Sequence, residues 1–178
     1  MTEPEVSLRI AMYYVEKEDV SESIKVSIDG AHIKTKDAVH FDIIGFLREN
    51  GYLKRNLGDK WQDEYKNSKY SHSIIVSSKP GVGDVSIVLN DGKTLYVESK
   101  KFKSGSGGEY PAMREAIGQL MTSCPDDKIP VVAVPYNEKS YELASDWSKN
   151  NKMINAGICF ALVHDNGHIE FVGWKNND

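Results

Sequence analysis

Apolar and polar positions along this chain form runs whose period changes several times. Ile10 to Val15 is an apolar run compatible with a short strand or a short helix. Ile24 to Ile28 alternates at period two, as a half-buried strand does, and Asp29-Gly30 marks a turn. Residues 37–50 read as a helix. Asp37 is placed to cap its start, Phe41, Ile43, Ile44 and Leu47 supply the apolar stripe, and Asn50-Gly51 ends it. Tyr52 to Leu57 predicts a short strand. Residues 58–72 are polar, with Lys60, Lys66 and Lys69 set among Trp61, Tyr65 and Tyr70. That stretch reads as a long connection, either a nucleic-acid surface or a solvated loop with partly buried aromatics.

The second half is clearer. Ser73 to Ser77 predicts a strand, Pro80 to Gly83 a bend, and Asp84 to Leu89 and Leu95 to Lys100 two paired strands. Ser104 to Gly108 is a glycine-rich loop, and Pro111 to Met121 a helix with proline near its start, where the missing N–H costs nothing. Ile129 to Val134 is continuously apolar, as in a strand buried on both faces. Glu138 to Asn150 reads as an amphipathic helix. Gly157 to Val163 and Ile169 to Val172 read as a hairpin around Asp165-Asn166-Gly167. The alternation predicts an α/β domain, a central mixed β-sheet flanked by helices.

Composition sharpens this only a little. A chain of 178 residues, 40% hydrophobic and 27% charged, is one ordinary globular domain. At that length roughly 70% of the unfolded surface is buried, so no metal or disulfide staple is needed. Cys124 and Cys159 stand in no metal-binding spacing. No run approaches a membrane span, and the acidic N-terminus is unlike a signal peptide, so a cytoplasmic protein without membrane contact is expected. A net charge of -4 argues against a non-specific nucleic-acid coat protein. It leaves room for a nucleic-acid enzyme whose metal-binding carboxylates lower the count. Of the histidines, His164 and His168 would face each other across the terminal hairpin, where a metal pair is one reading.

The chemistry gathers at Gly83-Asp84-Val85 and Val97-Glu98-Ser99-Lys100. A two-residue turn at Asp91-Gly92 would set Asp84 opposite Ser99. A three-residue turn, Asn90-Asp91-Gly92, sets it opposite Glu98. The second is favoured because such loops end in a left-handed residue, which Gly92 supplies. Glu98 and Lys100 then share a face with Asp84, and Val85, Ile87, Leu95 and Val97 fill the other. Opposed carboxylates repel unless one is protonated or both hold a cation. Their oxygens suit Mg²⁺ or Mn²⁺, which polarises a phosphoryl oxygen and acidifies bound water. Lys100 adds positive charge for the transition state. Together these parts describe phosphodiester hydrolysis. Lys101, Lys103 and the glycine-rich loop after them are candidate phosphate contacts.

Gly83-Asp84 with Glu98-Ser99-Lys100 resembles the PD-(D/E)xK nuclease superfamily, with Gly83 in place of the proline. The resemblance spans about residues 37–135, leaves the helix and hairpin at 138–174 outside it, and implies a restriction-endonuclease-like core. It implies metal ligation by Asp84, Glu98 and the Ser99 peptide carbonyl. Members often carry an acid on the first helix, about nine residues before a Gly-aromatic pair. Gly51-Tyr52 points to Asp42 for that metal-binding and catalytic role, with Glu64 a rival and Glu49 too near the helix end. Arg114 to Leu120 is similar to the helix after the catalytic lysine, with Gln119 facing the site and the small Ala116 and Gly118 allowing close packing. The expectation is a Mg²⁺- or Mn²⁺-dependent DNA endonuclease, as a homodimer or with a protein partner supplying specificity. The alternatives are an RNA nuclease and a non-catalytic nucleic-acid-binding or assembly module of the same fold.

Overall fold

The computed structural model describes residues 1–36, 38–79, 83–103 and 107–174. Asp37, the bend at 80–82 and the loop at 104–106, each singled out from the sequence, lie outside the described residues.

The chain opens with a helix, α1 (Glu3–Glu16). Thr2 and Glu5 form a reciprocal capping box and Pro4 sits in the first turn, so the start is locally encoded. Val6, Leu8, Ile10, Ala11, Met12, Tyr14 and Val15 are buried. The run at Ile10 to Val15 is therefore the second half of a helix.

Strand β1 (Ile24–Ser27) follows, then a 3-10 turn (Gly30–His32) and a small hairpin of β2 (Lys34–Thr35) and β3 (Ala38–Val39). Helix α2 (Ile43–Glu49) is shorter than the expected 37–50. Asp42 caps it, accepting a 3.0 Å hydrogen bond from the Gly45 N–H, while residues 38–39 pair as strand instead. Next come β4 (Leu53–Lys54), β5 (Asp63–Lys66), β6 (Ile74–Ser77), β7 (Val85–Val88) and β8 (Thr94–Ser99). The stretch 58–72 is thus not one long connection. It holds β5, whose Tyr65 is fully buried, so its aromatics belong in part to the core. Helix α3 (Glu109–Ser123), β9 (Ile129–Pro135), α4 (Glu138–Trp147), α5 (Asn151–Asn155), β10 (Cys159–Val163) and β11 (Ile169–Val172) complete the chain. The helix expected to reach Asn150 stops at Trp147, and the next turn restarts as α5.

Nine strands form one mixed sheet in the order β11-β10-β9-β8-β7-β1-β6-β5-β4. The pairs β1–β6, β8–β9 and β9–β10 are parallel, and the others are antiparallel. On one face Val85, Ile87, Leu95, Val97, Val131 and Ala161 pack into a core shared with α1. On the other, Tyr96, Val132 and Phe160 pack with Met113, Ala116 and Leu120 of α3 and Ala144 of α4. That second helix layer does not cover the whole sheet. Along one row of paired residues, Tyr96 is buried, Ser86 half-buried, and Lys25 and Ile75 exposed. Among the described residues no helix is long and apolar enough to cross a membrane.

Candidate active site

The β7–β8 hairpin takes the register that the three-residue turn predicts. Val85 pairs with Val97 and Ile87 with Leu95, the Leu89 N–H reaches the Lys93 carbonyl, and the Gly92 N–H closes the turn onto Leu89. Gly92 has φ +85°, the left-handed residue that this turn requires. The paired ladder ends at Val85 and Val97; just beyond it the Asp84 N–H bonds the Val97 carbonyl at 2.9 Å, which brings Asp84 beside Glu98 at the end of the hairpin.

Asp84, Glu98 and Lys100 line one cavity of about 320 Å³ with Glu3, Pro4 and Ser7 of α1, Ser27 at the end of β1, Ile28, Asp29 and His32 after it, and Glu115 and Gln119 of α3. The sheet delivers the central three. The cavity walls come from the first helix, the β1 exit and the helix after the lysine.

Each charge has a definite setting. The Ser99 N–H donates to Asp84 Oδ2 at 2.7 Å. Lys100 Nζ donates to Glu98 Oε1 at 2.9 Å and lies 3.9 Å from Glu3 Oε1 and 3.8 Å from Glu115 Oε1. Burial and the facing Glu98 push the Asp84 carboxyl up to about 7, against the pull of the Ser99 N–H and Lys100. Burial works to lower the Lys100 pKa, but the hydrogen bond and charge of Glu98, with Glu3 and Asp84, outweigh it and raise the value. Lys100 therefore stays an ammonium. Behind it the Ser99 hydroxyl accepts from Ser7 Oγ at 2.9 Å, a buried tie between β8 and α1.

Five carboxylates, from Glu3, Asp29, Asp84, Glu98 and Glu115, face this cavity, against one lysine and one histidine. Among the described residues, however, no three His, Cys, Asp or Glu side chains are already arranged as a cage for a metal. That holds for the terminal hairpin too. There His164 stacks on Tyr136 at 3.8 Å, with His168 5.2 Å from it, ring centre to ring centre.

The other expected site residues divide. Gln119 lines the cavity, as the helix resemblance implied. Ala116 packs against the sheet, whereas Gly118 is exposed with open space around it and plays no part in close packing. Lys101 and Lys103 are exposed just beyond β8. Asp42 does not line the cavity. It is the cap of α2, and its role at the site is corrected accordingly. Glu64 is also elsewhere, held by Arg55 at 2.6 Å and Ser73 at 2.7 Å. Besides Glu115 of α3, the cavity takes a helix acid from α1, Glu3, outside the 37–135 span expected to hold the site. Its signal was Thr2-Glu3-Pro4-Glu5, a capping box with proline in the first turn, which marks a helix start.

The chain matches no family model, and no curated protein or solved structure matches it.

Proposed function

We propose that this chain is a divalent-metal-dependent phosphodiesterase acting on nucleic acid, foremost a DNA endonuclease of the PD-(D/E)xK type. The observation that carries the reading is the juxtaposition of Asp84, Glu98 and Lys100 at the end of one hairpin, in a cavity open to solvent. The restriction-endonuclease-like core belongs to the same reading. It rests on the Asp on one strand, the Glu-x-Lys on the next, a first helix carrying an acid, and Gln119 on the helix that follows.

The donor set fits a hard cation. Asp84 and Glu98 are brought together at the end of the hairpin, and among the described residues Asp84 accepts one peptide N–H in compensation. Lys100 is shared among Glu98, Glu3 and Glu115. Carboxylate oxygens with unmet negative charge select Mg²⁺ or Mn²⁺. Asp84 and Glu98 would hold the ion, with the Ser99 carbonyl as the backbone ligand the resemblance implies. When bound, the ion polarises the phosphoryl oxygen and lowers the pKa of a coordinated water.

The chain's own groups do the rest. Lys100, fixed by Glu98 and Glu3, sets a positive charge beside the phosphorus, where negative charge grows as water adds. Ser7 and Ser99 lock β8 to α1, so Lys100 and Glu3 keep their spacing. Lys101 and Lys103, and Lys25 on the uncovered part of the sheet, contact phosphates on either side of the scissile bond. One cavity cuts one strand, so a double-strand cut takes two copies of the chain.

The test is a panel of supercoiled, linear and single-stranded DNA and of RNA, each with Mg²⁺, Mn²⁺ or EDTA. Metal-dependent cutting supports the proposal, and the preferred polymer assigns the substrate. Binding without cutting would favour a non-catalytic module of the same fold, a reading disfavoured by the presence of all three central residues.

A further inference from the structure

The cavity holds one imidazole. His32 ends the 3-10 turn after β1, and its Nδ1 lies 3.5 Å from Glu3 Oε1. That same oxygen lies 3.9 Å from Lys100 Nζ. Glu3 thus stands between an ammonium and an imidazole. The strand order separates the two: Lys100 follows β8, Asp84 precedes β7, and His32 follows β1, so His32 and Lys100 flank Asp84 on opposite sides.

Phosphodiester hydrolysis has two chemically different sides. The attacking oxygen enters on one side of phosphorus and the leaving oxygen departs from the other. The leaving alkoxide is strongly basic and needs a proton. Lys100 is held as a fixed charge among three carboxylates. Histidine is the side chain that ordinarily exchanges its proton near neutral pH, and a carboxylate on one ring nitrogen orients the other, as in a catalytic triad. At 3.5 Å the pair is within ion-pair distance.

Resting on the phosphodiesterase reading above, we propose that His32 is the general acid of the reaction, oriented by Glu3. Water oxygen bonds to phosphorus and releases its proton to solvent water. The bond from phosphorus to the leaving oxygen breaks, and that oxygen takes the proton of His32 and departs as a hydroxyl. The imidazole then regains a proton from solvent. The charged groups sharing its cavity are Glu3 on α1, Asp29 on its own turn, Asp84 and Glu98 with Lys100 on the hairpin, and Glu115 on α3. Glu3 is the positioning residue.

The experiment compares two leaving groups. Wild type, His32→Ala and His32→Gln are assayed on the preferred nucleic acid and on a p-nitrophenyl ester of a nucleoside phosphate, whose leaving oxygen needs no proton. His32 is exposed, so both variants should keep the wild-type thermal melt. The expected result is a loss of about 100-fold or more on nucleic acid and a loss of only about fivefold or less on the ester. Equal losses on both substrates, or no loss on nucleic acid with an active wild type, would overturn the role of His32 alone. A wild type inactive on every substrate would overturn the phosphodiesterase reading as well.

Discussion

The Asp84 carboxyl is buried beside the charge of Glu98. It titrates near 3.8 in the unfolded chain and near 7 in the folded one, chiefly through burial and the charge of Glu98. Between those values the native state holds a proton that the unfolded chain has lost. Stability therefore falls as pH rises from about 4 to about 7, and the penalty persists above that range. Asp84→Asn removes the penalty. In EDTA the variant should melt above wild type, by a larger margin at pH 8 than at pH 5. An equal margin at both values would show that Asp84 carries no buried charge. Lys100 is the opposite case. Lys100→Ala strips the counter-charge from Glu98 and Glu3 and should destabilise by roughly 3 kcal/mol in chemical denaturation. Adding Asp84→Asn to Lys100→Ala should recover part of that loss, because the two groups share one electrostatic environment. Strict additivity would contradict the coupling.

At the scale of elements, the hairpin is where sequence logic reached furthest. The preference of a three-residue turn for a left-handed third residue put Asp84 opposite Glu98, and Gly92 has φ +85°. Gly83 adds something that the motif alone did not show. It also lies in the left-handed region, φ +71°, and a Cβ there would stand 2.9 Å from the Val97 carbonyl. Proline, fixed near φ -65°, cannot adopt this backbone. Both positions pay the left-handed cost of roughly 1–2 kcal/mol on substitution by alanine, but only Gly83 abuts the site. Gly92→Ala should lower the melt and leave activity per folded molecule intact, since nothing lies within 4 Å of its Cβ. Gly83→Ala should lower both, and unchanged activity there would detach the Gly83 backbone from the positioning of Asp84. The helices were less legible for physical reasons. Two were shorter than expected because a cap intervened: Asp42 caps α2, and α4 gives way to α5, which Asn150 caps. The first helix was ambiguous because its apolar run is short and its start is marked by the cap, not by periodicity.

At the scale of the whole molecule, the site is assembled across the chain. Glu3 comes from the first helix, His32 from the β1 exit, Asp84, Glu98 and Lys100 from the central hairpin, and Gln119 from α3. The hairpin residues could be read from sequence because their spacing is local and their period is two. Glu3 could not, since its place depends on how α1 crosses the sheet, with Ser7 fastened to Ser99. Asp42 was the converse: its local pattern was right for a helix acid, but that helix is not the one at the cavity. The helix layer leaves the sheet uncovered along the row through Lys25 and Ile75. The most direct test of this account is nicking of supercoiled DNA with Mg²⁺ or Mn²⁺, wild type beside Asp84→Asn, both verified as folded. The account predicts cutting by wild type that EDTA abolishes, and a loss of at least about 100-fold in the variant. Metal-independent cutting, or cutting by Asp84→Asn at the wild-type rate, would contradict it.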